Sequence, residues 1–349
     1  MWNRSHPAIQ RRKAFLAFIA SLAAVFFHQT AASGADPESK ALTVNWYHEA
    51  RVLQPVIDEF IKDTGTPVVV TDDYDTFTTD VILVSDYKNL TEAKKFKRFR
   101  KLNSDYATKH VPARWRDRDG YWVGIALRTR AVIYNTELVA EEDAPKSWSD
   151  FASPEWRGKV KLRAGDNVYN RSLLAWMIYH HGEAKARAWA EGVLRNKPVD
   201  APFEGDTANA ESVSAGEYAL SLINTYYLNY MEGPWAEYFD ADPTKNIGIA
   251  WMDHDGRGQH VNVTGAAINK ETEKEEDARR LIEWLVSEKG QALLSAHVFK
   301  YPVRSDVEPA AAIKAHGEFK MDLTDLNDLE YHYDQADRIL REVGWRQEW

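Results

Sequence analysis

The residues whose types and spacing point most directly to chemistry are Tyr226 and Tyr227, in the stretch Asn224-Thr225-Tyr226-Tyr227. They follow the apolar run Tyr218-Ala219-Leu220-Ser221-Leu222-Ile223, which reads as a short buried strand. Along a strand, neighbouring side chains point to opposite faces, so both phenols could not meet one ligand. At a strand end, where the chain turns into a loop or helix, they can converge. A phenol titrates near pH ~10 and is a poor ligand for soft or weakly charged cations at neutral pH. A small trivalent cation strips the proton, and the hard phenolate oxygen matches it. Tyrosine is a known iron ligand in haem proteins. The bland alternative is two aromatic rings packed in a core or at its rim.

Composition narrows the field. The 349 residues suffice for two domains with sizeable cores. Cysteine is absent, which removes disulfides, thiolate metal sites, iron–sulfur clusters and a cysteine nucleophile. Thirteen tryptophans suit a well-packed globular protein. Arg4, Arg11, Arg12 and Lys13, the apolar run Ala14 to Phe27, and small residues up to Ala35 have the order of an export signal over residues 1–35. The apolar run is short for a transmembrane helix, and Arg11-Arg12 is only a faint twin-arginine signal. Removing residues 1–35 takes away four basic and no acidic residues, leaving 40 basic, 53 acidic and a net charge of −13. That balance argues against nucleic acid and anionic membrane surfaces and does not oppose a cation.

The elements that must position the tyrosines follow from periodicity. Leu42 to Tyr47, Val68 to Val70 and Asp80 to Val84 read as strands, and residues 52–62 as a helix ended by Gly65 and Pro67, a pattern of parallel α/β structure. Residues 91–101 are dense in Lys and Arg and read as a solvated helix face. Tyr121 to Tyr134 holds two apolar runs around Arg128 and Arg130, read as strands leading to a second lobe. Helices are expected after Leu173, over 183–196, 275–287 and 290–297, and from Asp334 to Val343, with strands at Val160 to Leu162, Asn246 to Trp251 and Val261 to Ile268. The fold class is thus α/β with two lobes, the chain crossing between them more than once.

Several stretches together carry a resemblance: Gly124 to Asn135, containing Leu127-Arg128-Thr129-Arg130; Asn167-Val168-Tyr169-Asn170-Arg171-Ser172-Leu173; Gly205-Asp206-Thr207-Ala208; Asn224 to Leu228; and Asp255 to Gly265. In this order and spacing they resemble the bacterial periplasmic ferric iron-binding proteins, the soluble receptors of ABC-type iron importers, over nearly all of residues 110–349. The resemblance implies a type II periplasmic binding protein fold with a ligand cleft between lobes. The expected partition is a signal peptide (1–35), the first part of the N-terminal lobe (36–132) and the C-terminal lobe (133–262). A return through the N-terminal lobe, with C-terminal helices across both lobes, follows (263–349). Hinges are expected near 131–135 and 262–267. The implied function is periplasmic capture of iron, ferric or ferrous, for delivery to an inner-membrane permease, by a soluble monomer without enzymatic activity. The resemblance gives Tyr226 and Tyr227 as phenolate ligands and Tyr169 as a third. It gives Arg128 as the holder of a synergistic anion such as carbonate, an interlobe ion pair being the open alternative. Asn262 and Asp206 read as local hydrogen bonders.

The first lobe departs from the family pattern. The loop after the first strand is short, and Tyr47-His48-Glu49 leads almost directly into the helix. Tyr47 and His48 stand level as first-lobe ligands, with Glu49 behind them. The segment 71–80 lacks the helix usual there, and neither Tyr74 nor Asp75 can be assigned. Receptors for phosphonates, thiamine or polyamines on the same fold are the alternative, and they usually lack such a tyrosine set. An exported hydrolase is a further alternative, but no His-Glu-x-x-His, Gly-x-Ser-x-Gly or phosphate loop is present, and His180-His181 suits a helix end better than chelation. A relative that has lost transport is the remaining reading.

Overall fold

The computed structural model describes residues 41–346 except Tyr47, His48, Tyr74, Asp75, Asp240, Ala241 and His254. The expected export signal lies outside the described residues. Strand β1 (Leu42–Asn45) leads to helix α1 (Ala50–Thr64), then β2 (Val68–Thr71). Val52, Leu53, Val56, Ile57 and Phe60 form the buried stripe of α1. Gly65 ends it at φ 70°, its N–H on the Ile61 carbonyl, the left-handed cap that glycine adopts without penalty. One 3-10 turn, Thr76–Thr78, replaces a helix before β3 (Val81–Ser85), matching the shortness read there. β1 pairs in parallel with both β2 and β3, as the strand–helix–strand pattern requires.

Helix α2 (Tyr87–Lys95), β4 (Phe99–Arg100) and β5 (Val123–Asn135) follow. The two apolar runs around Arg128 and Arg130 are one strand: β5 spans 13 residues, all buried. Its first half pairs with β9 (Val261–Asn269) from Val123 to Thr129, and its second half with β7 (Leu220–Asn224) from Arg130 to Tyr134. β6 (Val160–Lys161) extends β7 in parallel, and β8 (Ile247–Ala250) pairs with the end of β5. The hydrogen-bonded order is β2-β1-β3-β9-β5-β7-β6, with β4 on β9 and β8 on β5. β5 therefore belongs to both halves of the molecule, and its two arginines interrupt the apolar pattern without breaking the strand.

Helix α3 (Val168–His181) packs against α2, α4 (Asp206–Ser214) lies on β6 and β7, α5 (Tyr226–Glu232) packs against α4, and α6 (Tyr333–Glu342) packs against α3. Gly265 of β9 marks a close approach: a Cβ there would stand 2.7 Å from Leu90 Cδ1 of α2. This lets α2, and Asp86 at its N-cap, sit directly on the crossing strand. No described helix is long and apolar enough to cross a membrane.

Candidate metal centre

β7 is fully buried and ends at Asn224; Thr225 is already helical, and Tyr226 and Tyr227 are the first two residues of α5. This joint answers the geometric objection to adjacent phenols. Successive helical residues are turned by about 100° rather than the half-turn of a strand, so the two rings stand side by side, centroids 4.4 Å apart and 31° between planes. Tyr169 comes from the first turn of α3, its N–H held by the Asn167 side chain at 3.0 Å. Its hydroxyl reaches that of Tyr226 at 3.4 Å. The phenol of Tyr169 thus meets an adjacent pair 57 residues further along the chain.

Their surroundings set the charge. Burial pushes the Tyr226 and Tyr227 phenols well above their usual titration range, and the neighbouring Tyr169 adds to this. Both are therefore protonated at neutral pH until something displaces the proton. Around Tyr169 the guanidiniums of Arg163, Arg128 and Arg130 lie 5.1, 5.2 and 5.7 Å from the ring centroid. Two buried carboxylates anchor them. Asp206 Oδ2 accepts from Arg130 at 3.1 Å and from the Asn224 N–H at 2.9 Å, and its Oδ1 from Arg163 at 3.3 Å. Burial opposes the Asp206 charge, but Arg130 and Arg163 outweigh it and hold the carboxyl below its usual value. Asp86 Oδ2 accepts from Arg128 at 2.7 Å and from Asn262 at 3.1 Å.

Asp206 and Asn262 are hydrogen bonders, as their contacts show. Arg128 spends one terminal nitrogen on Asp86 and the other on the Val263 carbonyl at 3.1 Å. Arg128 is absent from the lining of the adjoining cavity, whose arginines are Arg98 and Arg163. This cavity of about 480 Å³ is lined by Trp46, Glu49, Arg163, Tyr169, Tyr227 and Tyr230, among others. Tyr47 and His48 lie outside the described residues, as do Tyr74 and Asp75. His180 and His181 close α3; His180 Nε2 bonds the Thr324 hydroxyl at 2.8 Å, and burial lowers its pKa to about 4. Among the described residues no group of three or more His, Asp or Glu is placed to hold a metal ion.

Sequence reading missed Asp86, Arg163, Tyr230 and Lys300. Tyr230 could have been found, since it follows Tyr226 by one helical turn; its ring centroid is 5.2 Å from that of Tyr226. Asp86 carried only a helix-start signal. Lys300, whose ammonium lies 4.8 Å from the Tyr226 ring centroid, carried none.

The model of the bacterial extracellular solute-binding protein family matches residues 77–330. The chain belongs to that family. Among its relatives, iron uptake protein A1 of Synechocystis is 36% identical over 270 residues, which span 76% of this chain and 73% of that protein. The ferric binding protein of Campylobacter jejuni superposes with a TM-score of 0.78 at 28% identity, over 87% of this chain and 100% of that one. A Trichodesmium protein solved with iron and citrate ligands superposes with a TM-score of 0.78 at 28% identity, over 88% of this chain and 100% of that one. The family fold is the two-lobed type II α/β architecture expected from the sequence, and β5 is the strand that both sheets share.

Proposed function

We propose that this protein captures ferric ion in the periplasm through Tyr169, Tyr226 and Tyr227 and delivers it to an ABC-type permease of the inner membrane. The observation that carries this reading is the convergence of the three phenols, with the Tyr169 and Tyr226 hydroxyls 3.4 Å apart. Three phenolates balance a trivalent ion, and an all-oxygen set of hard donors favours it over softer cations. The 36%-identical relative named for iron uptake and the neighbour solved with iron and citrate support the same cargo. The lobes close about β5 and β9 when the ion docks, in the manner of hinged receptors, and the cargo is carried without chemical transformation. The Arg128 fork is engaged by Asp86 and Val263, so an anion carried with the metal would meet Arg163.

Purified metal-free protein titrated with ferric citrate tests this. A visible phenolate-to-iron absorption should grow to one equivalent, and Tyr226→Phe and Tyr227→Phe should each weaken it. Because burial keeps the Tyr226 and Tyr227 phenols protonated in the free protein, binding must release protons, and affinity should fall as the pH is lowered. A protein that stays colourless under excess ferric ion would favour receptors for other solutes.

A further inference from the structure

Between β3 and α2 stands one residue, Asp86, at φ 93° and ψ 130°, in the half of backbone space that an L side chain rarely enters. Such a conformation persists only where the surroundings over-determine it, and it gathers at sites where geometry matters. Capping does not account for it. A helix N-cap works from extended backbone of negative φ, and the Lys88 N–H, at 3.0 Å, occupies only part of Oδ1. Glycine would accept this backbone freely but has no carboxylate. The turn brings the Asp86 N–H onto the Val263 carbonyl at 3.0 Å and its fully buried carboxylate among side chains of three other elements. Arg128 of β5 and Asn262 of β9 donate to Oδ2. The Ser172 hydroxyl of α3 donates to Oδ1.

Two of these partners share a neighbour. Ser172, itself fully buried, follows Tyr169 by three residues and so lies about one turn further along the same side of α3. Arg128 holds its guanidinium 5.2 Å from the Tyr169 ring centroid. Asp86 therefore grips both the helix that carries Tyr169 and the cation beside its ring. The Asn167 side chain fixes the first turn of α3 locally; Asp86 ties that helix to the crossing strands. We infer that Asp86, acting through Ser172 and Arg128, is the positioning residue for Tyr169. It sets where α3 stands on β5 and β9, so that the Tyr169 phenol meets that of Tyr226. The inference rests on the ferric-binding reading and deepens it. Asp86 is absent from the lining of the cavity, so its effect on the metal is indirect. A site of this kind tolerates misplacement of only about 0.5 Å, and a small shift of α3 would take the third oxygen away from an ion held by Tyr226 and Tyr227.

The test is a set of ferric titrations in competition with citrate on wild type, Ser172→Ala, Tyr169→Phe and the double variant Ser172→Ala/Tyr169→Phe. Ser172→Ala removes the grip on α3 and leaves the Asp86–Arg128 pair whole, and near-ultraviolet circular dichroism of the tryptophans checks that each variant is folded. Ser172→Ala should bind ferric ion about 10-fold more weakly. At saturating iron its visible band should weaken towards that of Tyr169→Phe. In the Tyr169→Phe background the same substitution should change affinity by less than about 2-fold, because residues that act through one group are not additive. Asp86→Asn, which loosens both grips, should lose at least as much affinity as Ser172→Ala; a smaller loss would contradict the assignment. An equal loss from Ser172→Ala in both backgrounds would show a general structural role and overturn it. So would a Ser172→Ala protein with wild-type affinity and band, the tyrosine site being left standing in each case. A colourless wild type would overturn the ferric reading, and this one with it.

Discussion

Asp206 decides more about the tyrosines than any residue that touches the cavity. Its buried carboxylate gathers Arg130, Arg163 and the backbone N–H of Asn224, so it fixes the last residue of β7 two positions before Tyr226. Removing one partner of a buried ion pair leaves the other charge uncompensated, at a cost of about 3–5 kcal/mol. Asp206→Asn keeps the shape and removes the charge. It should lower stability by about 3 kcal/mol in urea denaturation and weaken ferric binding; an unchanged midpoint would show that the two arginines find other partners. The residue-level reading from sequence recovered the phenols because their types are rare in that pairing. It could not recover Asp86 or Lys300. Their significance lies wholly in partners far along the chain, Arg128 in one case and Glu49 in the other.

At the scale of elements, the tyrosines are placed by two helix starts, α5 directly after β7 and α3 after a short turn. That turn is clamped from the C-terminal end of the chain. Trp345 donates its indole N–H to the Arg163 carbonyl at 2.9 Å, and Gly165 lies so close beneath it that a Cβ would stand 2.3 Å from the Trp345 carbonyl and 2.7 Å from its ring. Gly165→Ala must displace Trp345 or the turn, and overpacking of this kind costs about 1–3 kcal/mol. A lower thermal midpoint is expected, with weaker ferric binding because Arg163 and Tyr169 shift together; a variant indistinguishable from wild type would show that the clamp is slack. The strand before Tyr226 and the helix with its glycine cap after β1 were legible because burial imposes periodicity. β5 was legible only as two runs, since Arg128 and Arg130 are satisfied inside the protein by Asp86, Asp206 and the Leu222 carbonyl. Local pattern reads such buried charges as surface.

At the scale of the whole molecule, β5 and β9 run antiparallel through the middle of the sheet order, and Tyr169, Tyr227 and Glu49 line one cavity. Long-range strand pairing brings together groups as far apart in sequence as Glu49, Tyr169, Tyr226 and Lys300. The most direct test of the phenolate site is resonance Raman spectroscopy of the iron-loaded protein, excited within its visible band. Ring and C–O modes of iron-bound tyrosinate should be enhanced. They should weaken in Tyr169→Phe, Tyr226→Phe and Tyr227→Phe singly and vanish in the triple variant. A loaded protein without enhanced tyrosinate modes, or modes that survive in the triple variant, would contradict a site built from these three residues.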